Sequence, residues 1–395
     1  MVGPGLVVML ADTDAGSVVT AAQSGAVWGY KLLLLQFVLV PILYMIQELT
    51  VRLGLVSGKG HGELIREHFG KGWAWVSVST LLVASLGALV TEFAGVAGAG
   101  LLFGIPVRLS VGMMVVLLSL VAWTGSYLSV ERIAILIGSF ELAFLLVAWW
   151  AHPSPAAMLH GLTQVPWRQP GYLYLAAANV GAVIMPWMVF YQQSAVVDKG
   201  LKAKDLRMAR RDTAWGAVIT QLIMGGVLVA TAATIGVNRP GEALGTVQQI
   251  ADALTPFLGK TVGTVLFALG MVGAALVAAI VVSLAAAWGI GEVSGYRRSL
   301  EHNPRQAPWF YAIYTAGLVL GGLLVVSGVN LVNLSVAVQV MNALLLPIVL
   351  GFLYLLALKA LPRPYRLHGI YAVVVGVVVA AASIFGVYAV VSEIF

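Results

Sequence analysis

The sequence predicts an all-α polytopic membrane protein of eleven spans, the first ten arranged as two inverted five-helix repeats with spans 1 and 6 discontinuous. Three observations carry this. Sixty per cent of the 395 residues are hydrophobic, 10% are charged and 44 are glycine, a composition in which small residues let apolar helices pack closely. Apolar runs of about twenty residues or more, long enough to cross a hydrocarbon core, recur eleven times. Two of these runs are interrupted by polar, helix-breaking residues: Ala11-Asp12-Thr13-Asp14-Ala15-Gly16-Ser17, and the segment 181–193 around Met185-Pro186.

Span 1 (3–26) contains the acidic interruption, and no small-residue cleavage site follows its apolar run, so a retained helix is expected rather than a signal peptide. Span 2 (29–53) carries Pro41 and span 10 (330–358) carries Pro347, kinks that membrane helices tolerate where neighbours or water satisfy the freed carbonyls. Span 3 (74–103) has a small-residue run from Gly87 to Gly100 that admits close neighbours. Spans 4 (107–127) and 5 (132–151) complete the first unit, 1–151. Span 6 (171–197) opens the second, 171–358, with spans 7 (213–236), 8 (261–290), 9 (307–327) and 10. Span 11 (368–392) lies outside the repeat. The interruptions are five spans apart, so the two units cross the membrane in opposite senses, the pattern of carriers that hold substrate near the midplane between two broken helices.

Lys and Arg set the expected orientation. With the N-terminus inside, the cytoplasmic connections carry seventeen of the 22 basic residues, including Arg52, Lys59, Arg66, Lys199, Arg210, Arg211, Arg297 and Arg298. Lys31, Arg108, Arg168, Arg239 and Lys260 remain on the other face. The positive-inside rule therefore places the N-terminus in the cytoplasm and the C-terminus outside a plasma membrane. The net charge of +6 is topological, and no nucleic-acid partner is expected. Without cysteine there is no disulfide, thiolate metal site or thiol chemistry. The longest connections, 152–170 and 237–260, are expected as external loops, with a partial lid as the alternative.

A carboxylate at the bilayer centre costs roughly 2.5 to 3.5 kcal/mol on insertion scales, so Asp12 and Asp14 require a cavity, an ion or each other. Asp14 and Ser17, three apart, offer hard oxygen ligands suited to Mg²⁺ or Mn²⁺, and Asp12 adds a second carboxylate directly or through water. The alternative for either Asp is a helix-capping role. In the second interruption Pro186 removes a donor and Gly181 eases the chain, so the Ala182 carbonyl is a candidate ligand. Met185 is a candidate thioether ligand, with simple packing as its alternative. Glu92 is expected buried beside the pore. Glu48 is expected to pair with Arg52 four residues on, and Glu141 receives no role. Gln339 and Asn342 share a face of span 10 and are candidates to hydrogen-bond a hydrated ion or a neighbouring helix. The six histidines show no paired ligand spacing, so an enzyme is not expected.

Gly3-Pro4-Gly5, then Asp14-Ala15-Gly16-Ser17, then Thr20-Ala21-Ala22-Gln23 resembles the first helix of the Nramp divalent-metal transporters, where the pattern is GPG, DPGN and TAAQ at the same spacing. Gly181-Ala182-Val183-Ile184-Met185-Pro186 resembles that family's helix 6 motif, and Leu102 to Pro106 and Arg52 to Lys59 resemble the ends of its helices 3 and 2. The resemblance implies a LeuT-type fold and metal contacts from Asp14, the Ala182 carbonyl, Met185 and Gln339. The chain departs from the family where Ser17 replaces an Asn ligand, Ala15 a Pro, Asp12 an aromatic residue, Trp187 the His after Met-Pro, and Gly95 the glutamate of TDLAE. In the family that His and that glutamate belong to the proton route. This set is similar to the Nramp-related magnesium transporters.

The expectation is therefore a carrier with no cofactor, likened in fold to LeuT, that imports divalent cations by alternating access as a monomer in the bilayer. Mg²⁺ as a partly hydrated ion is expected first, with Mn²⁺ also accepted and no obligatory proton coupling. A proton-coupled Mn²⁺/Fe²⁺ carrier is the first alternative, and an amino-acid carrier of the same fold ranks lower because Asp12 and Asp14 repel a substrate carboxylate.

Overall fold

The computed structural model describes residues 3–124, 127–237, 239, 241–254, 259–328 and 330–394. Among these the regular structure is entirely helical. Ten stretches are long and apolar enough to cross a membrane, and the first of them, Ala15–Ser57, is 43 residues long. As one straight helix it would extend about 64 Å, twice the hydrocarbon thickness. It is divided instead at Gly29, whose φ of 58° favours glycine, and by a single tight turn at Gly29–Leu32. Helix 1a (Pro4–Asp12) and helix 1b (Ala15–Trp28) together make the first crossing and helix 2 (Leu33–Ser57) the second. With that division the expected eleven crossings are present.

The remaining crossings are helix 3 (Lys71–Leu101), helix 4 (Val107–Thr124), helix 5 (Tyr127–Trp150), helices 6a (Pro170–Val183) and 6b (Pro186–Asp198), helix 7 (Leu206–Thr231, continued by a wider turn, Ala232–Gly236), helix 8 (Lys260–Ser294), helix 9 (Pro308–Val326), helix 10 (Leu331–Lys359) and helix 11 (Gly369–Ile394). Pro41 and Pro347 both sit inside continuous helices. Helix 7 begins well before the apolar run starting at 213, because its first turns carry Arg207, Arg210 and Arg211, which hydropathy assigns to a loop. Three shorter helices, His61–Phe69, Pro155–Thr163 and Val247–Leu254, occupy connections expected to be irregular. Residues 238, 240 and 255–258 of the connection 237–260 lie outside the described residues.

Helices 1, 2, 6 and 7 pack together, and helices 3 and 8, equivalent by position in the two halves, form the most extensive pairing in the molecule. Helices 4 and 9 pack on each other and on helix 3, and helix 10 lies against helices 1b, 3 and 6a. Leu120, Trp123, Leu136, Trp149, Leu323 and Ile370 are exposed on the outside, as suits a surface bathed in lipid. Glu48 is buried and accepts from Arg52 at 2.6 Å, as the i, i+4 spacing predicts, and from Arg210 of helix 7 at 2.7 Å. This pairing joins helices 2 and 7 at one membrane face.

Candidate functional site

Helix 1a ends at Asp12, and the chain is extended at Asp14 (φ −68°, ψ 170°) before helix 1b begins. Asp14 Oδ1 accepts from the Ser17 backbone N–H at 2.6 Å, so Asp14 does cap the half-helix. Its other oxygen, Oδ2, is buried without a hydrogen-bond partner, so capping uses only one of the two carboxylate oxygens. Asp12 caps nothing: it is the last residue of helix 1a, and both of its buried oxygens lack a partner.

Helix 6 breaks at Ile184-Met185. Met185 is extended (φ −101°, ψ 140°), and Pro186, with no N–H to leave orphaned, starts helix 6b. One turn earlier, the Ala182 carbonyl accepts from Ser17 Oγ at 3.0 Å, which ties the two broken helices together at their gaps. Gln339 Nε2 lies 3.5 Å from Asp14 Oδ1, and Asn342 Nδ2 donates to Gln339 Oε1 at 2.9 Å. Glu92 Oε2 accepts from the Ala15 N–H at 3.1 Å, and its Oε1 from Thr91 Oγ1 at 3.0 Å.

Asp14, Ser17, Ala182, Gln339 and Glu92 thus form one hydrogen-bonded constellation drawn from helices 1, 3, 6 and 10. Asp12 adjoins it within electrostatic range of Asp14. Met185 is buried at the start of helix 6b, with its carbonyl accepting from the Met188 N–H at 3.1 Å. All seven residues are at most 1% exposed. The constellation is therefore closed off from both faces. Among the described residues no three His, Cys, Asp or Glu side chains converge as a metal cage. The available donors are mixed: carboxylate, main-chain carbonyl, amide and hydroxyl oxygens, with one thioether at the second break. Such a set favours a hard cation that is bound and then released.

Several residues around the constellation escape sequence reasoning because their partners are distant in the chain. Both ends of the Gln23 amide pair with the main chain of Leu244: Oε1 accepts from its N–H at 2.9 Å and Nε2 donates to its carbonyl. Val247, at the start of the short helix that follows, packs against Gly98, so part of the connection 237–260 covers helices 1b and 3 rather than looping freely. At the opposite face Asp212 accepts from the Gly3 and Leu6 N–H groups at 3.2 and 3.1 Å, holding the start of helix 1a. Glu292 accepts from Ser194 Oγ at 2.5 Å and from the Gly62 N–H at 2.8 Å.

His61, outside the membrane spans, is fully buried beside Phe190. Gln193 Nε2 donates to the Lys59 carbonyl at 3.0 Å, which leaves Gln193 Oε1 to accept from His61 Nδ1 at 3.1 Å. Burial pushes the His61 imidazole down to about 4, against a smaller upward pull from Gln193. An unfolded or opened chain protonates this histidine below about 6.5 while the closed form stays neutral to about 4, so its contribution is intact above pH 6.5 and is lost as pH falls through that window. The expected outcome is a melting temperature that drops between pH 6.5 and 4 in the wild type and drops less in His61→Gln, read by thermal unfolding in detergent.

Two broken helices, 1 and 6, with interruptions that meet at one buried polar cluster, define the class: a membrane carrier of the LeuT fold. Its solved neighbours agree on that fold. A manganese transporter from Eremococcus coleocola superposes with a TM-score of 0.77 at 20% identity, covering 99% of this chain and 86% of that one. MhsT in complex with L-phenylalanine gives 0.65 at 14% identity over 100% of this chain and 98% of that one. The chain belongs to the Nramp (natural resistance-associated macrophage protein-like) family, whose model matches residues 5–392. Relatives include the divalent metal cation transporters MntH of Chromohalobacter salexigens, 29% identical over 71% of this chain and 68% of its own length, and of Yersinia pestis, 28% identical over 72% and 71%.

Proposed function

We propose that this protein is a divalent metal cation transporter that imports a partly hydrated ion by alternating access, with Mg²⁺ as its first substrate, Mn²⁺ also accepted, and no obligatory proton coupling. The carrying observation is the set of buried carboxylate oxygens with no hydrogen-bond partner at the helix 1 break, Asp12 Oδ1 and Oδ2 and Asp14 Oδ2, where the Ser17 hydroxyl ties that break to the Ala182 carbonyl. Such oxygens in a low-dielectric interior call for a cation or for water held by one. Asp14, Ser17, Ala182 and Gln339 are assigned to the ion itself, Met185 to its flank, and Asp12 and Glu92 to its water shell and the helix break.

The divalent charge is supported by the names of the curated relatives. Mg²⁺ is favoured by chemistry: Ser17 is a small hydroxyl ligand, Asp12 adds negative charge, and Mg²⁺ dehydrates reluctantly. The absence of proton coupling is supported by Gly95. A Cβ there would meet Ala15 Cβ at 2.4 Å and Met271 Sδ at 3.2 Å, so helix 1b already occupies the space that a glutamate at 95 needs. Under the same reading the units 1–151 and 171–358 are the two repeats and 368–392 is an added helix. The carrier acts as a monomer in the plasma membrane, N-terminus inside and C-terminus outside.

A second reading, a proton-coupled Mn²⁺ carrier, is favoured by Met185, whose soft sulfur suits Mn²⁺ over Mg²⁺, and by the solved manganese transporter of the same fold. Proteoliposomes loaded with metal- and pH-sensitive dyes decide between them. The first reading predicts Mg²⁺ entry that Mn²⁺ competes for, without lumen acidification. Mn²⁺ entry that excludes Mg²⁺ and acidifies the lumen overturns it in favour of the second.

A further inference from the structure

Helix 5 carries a buried carboxylate that the constellation above does not use. Glu141 is fully buried, and neither of its side-chain oxygens has a hydrogen-bond partner. It sits in a local tightening of helix 5, Ser139–Leu142. One turn before it, Gly138 lies against Leu10 of helix 1a: a Cβ there would meet Leu10 Cβ at 3.2 Å and Glu141 Oε1 at 3.5 Å. Helix 5 can approach the end of helix 1a this closely because residue 138 has no side chain.

The groups facing Glu141 are Thr13, Asp12 and Asp14, all at the break of helix 1. The Thr13 hydroxyl approaches Glu141 and also lies 2.9 Å from Thr220 Oγ1, which itself donates to the Met9 carbonyl. Each hydroxyl has one proton, and Thr220 gives its own to Met9, so Thr13 can satisfy at most one Glu141 oxygen. Of the four carboxylate oxygens at the helix 1 break, two from Asp12 and two from Glu141, at least three therefore have no donor from the protein. A half-satisfied buried polar cluster of this kind is costly unless something else supplies donors.

We propose that Glu141 and Asp12, the carboxylate at the edge of the first ion's water shell, form a second cation position that the ion occupies in turn, on the helix 1a side of Asp14, as a divalent cation still carrying its inner water shell. Coordinated waters supply the missing donors, and the double positive charge balances the two carboxylates. This also fits the lack of a three-ligand cage, because contacts through water need no convergence of side chains to direct bonding distance. The position rests on the reading of the protein as a divalent-cation carrier, and it gives the ion a station between release from Asp14 and departure along helix 1a.

The test uses the full chain, purified in detergent and in proteoliposomes, with Glu141→Gln as a near-isosteric variant and Glu141→Asp as the charge-retaining rescue. Calorimetric titration with Mg²⁺, and with Mn²⁺ in parallel, is expected to resolve two sites in the wild type and one in Glu141→Gln. The concentration for half-maximal Mg²⁺ uptake should rise roughly tenfold or more in Glu141→Gln, and Glu141→Asp should recover part of it. Mn²⁺ uptake, which depends less on the water shell, should change less. Two sites retained in a well-folded Glu141→Gln, or unchanged Mg²⁺ uptake, overturns the proposal, as does equal damage in Glu141→Asp and Glu141→Gln. Wild-type protein that takes up Mn²⁺ and excludes Mg²⁺ defeats the Mg²⁺ reading instead, and the Mn²⁺ stoichiometry of the same two proteins then judges the second position alone.

Discussion

Asp14→Asn is expected to lower divalent-cation uptake roughly a hundredfold, equivalent to about 2.7 kcal/mol, while the protein remains folded. Asp14 has two separable tasks. Its Oδ1 accepts from the Ser17 N–H and so starts helix 1b, and its Oδ2 is free for the ion. An asparagine retains the accepting oxygen of the cap and removes the charge, so it isolates the second task. Asp14→Ala removes both and should add a loss of about 1 kcal/mol in stability from the missing cap. Uptake in proteoliposomes together with thermal unfolding of both variants checks this. Asp14→Asn with undiminished uptake of both Mg²⁺ and Mn²⁺ would place the ion elsewhere.

Gly181→Ala should be nearly as damaging without touching any proposed ligand side chain. A Cβ at 181 would stand 1.9 Å from the Gln339 carbonyl oxygen and 2.8 Å from the Ala343 nitrogen, both main-chain atoms that no rotamer change can move aside. Helices 6a and 10 would have to separate by roughly an ångström, and overpacking of this kind costs about 1 to 3 kcal/mol. The separation displaces the Ala182 carbonyl, the next residue, from Ser17, and Gln339 from Asp14. Uptake should fall about tenfold to a hundredfold, with a lower melting temperature, because sites loosened by about an ångström lose much of their function. Gly171→Ala on the same half-helix is the control: its Cβ would meet only Trp28, at 3.8 Å, and uptake should be unchanged. Equal behaviour of the two variants would show that close packing at 181 does not hold the site.

The breaks were readable from the sequence because each announces itself locally: Asp12 and Asp14 stand two apart in an apolar run, and Pro186 follows Gly181 within one span. The Glu48 and Arg52 pair was readable for the same reason, since four residues on a helix place the partners side by side. Glu141 was not, because a single acidic residue in span 5 has no neighbour in sequence that explains it; its surroundings come from helices 1 and 8. Asp212 and Glu292 likewise serve main-chain groups some two hundred residues away. The short helix Val247–Leu254 was hidden by length, since eight residues leave no hydropathy signal in a window sized for a crossing. Gly95 looked like a missing acid in the sequence, whereas the structure fills its place with Ala15.

The grip of Gln23 on Leu244 fastens the connection 237–260 to helix 1b. Two neutral hydrogen bonds contribute about 1 to 3 kcal/mol net to holding Leu244 over helix 1b, in addition to the packing of Val247 on Gly98. The grip is on main chain, while the Leu244 side chain is itself buried in the core, so substitutions there act through packing and leave these two hydrogen bonds in place. Proline there, which has no N–H, would remove one of the two hydrogen bonds and leave Gln23 Oε1 buried without its donor.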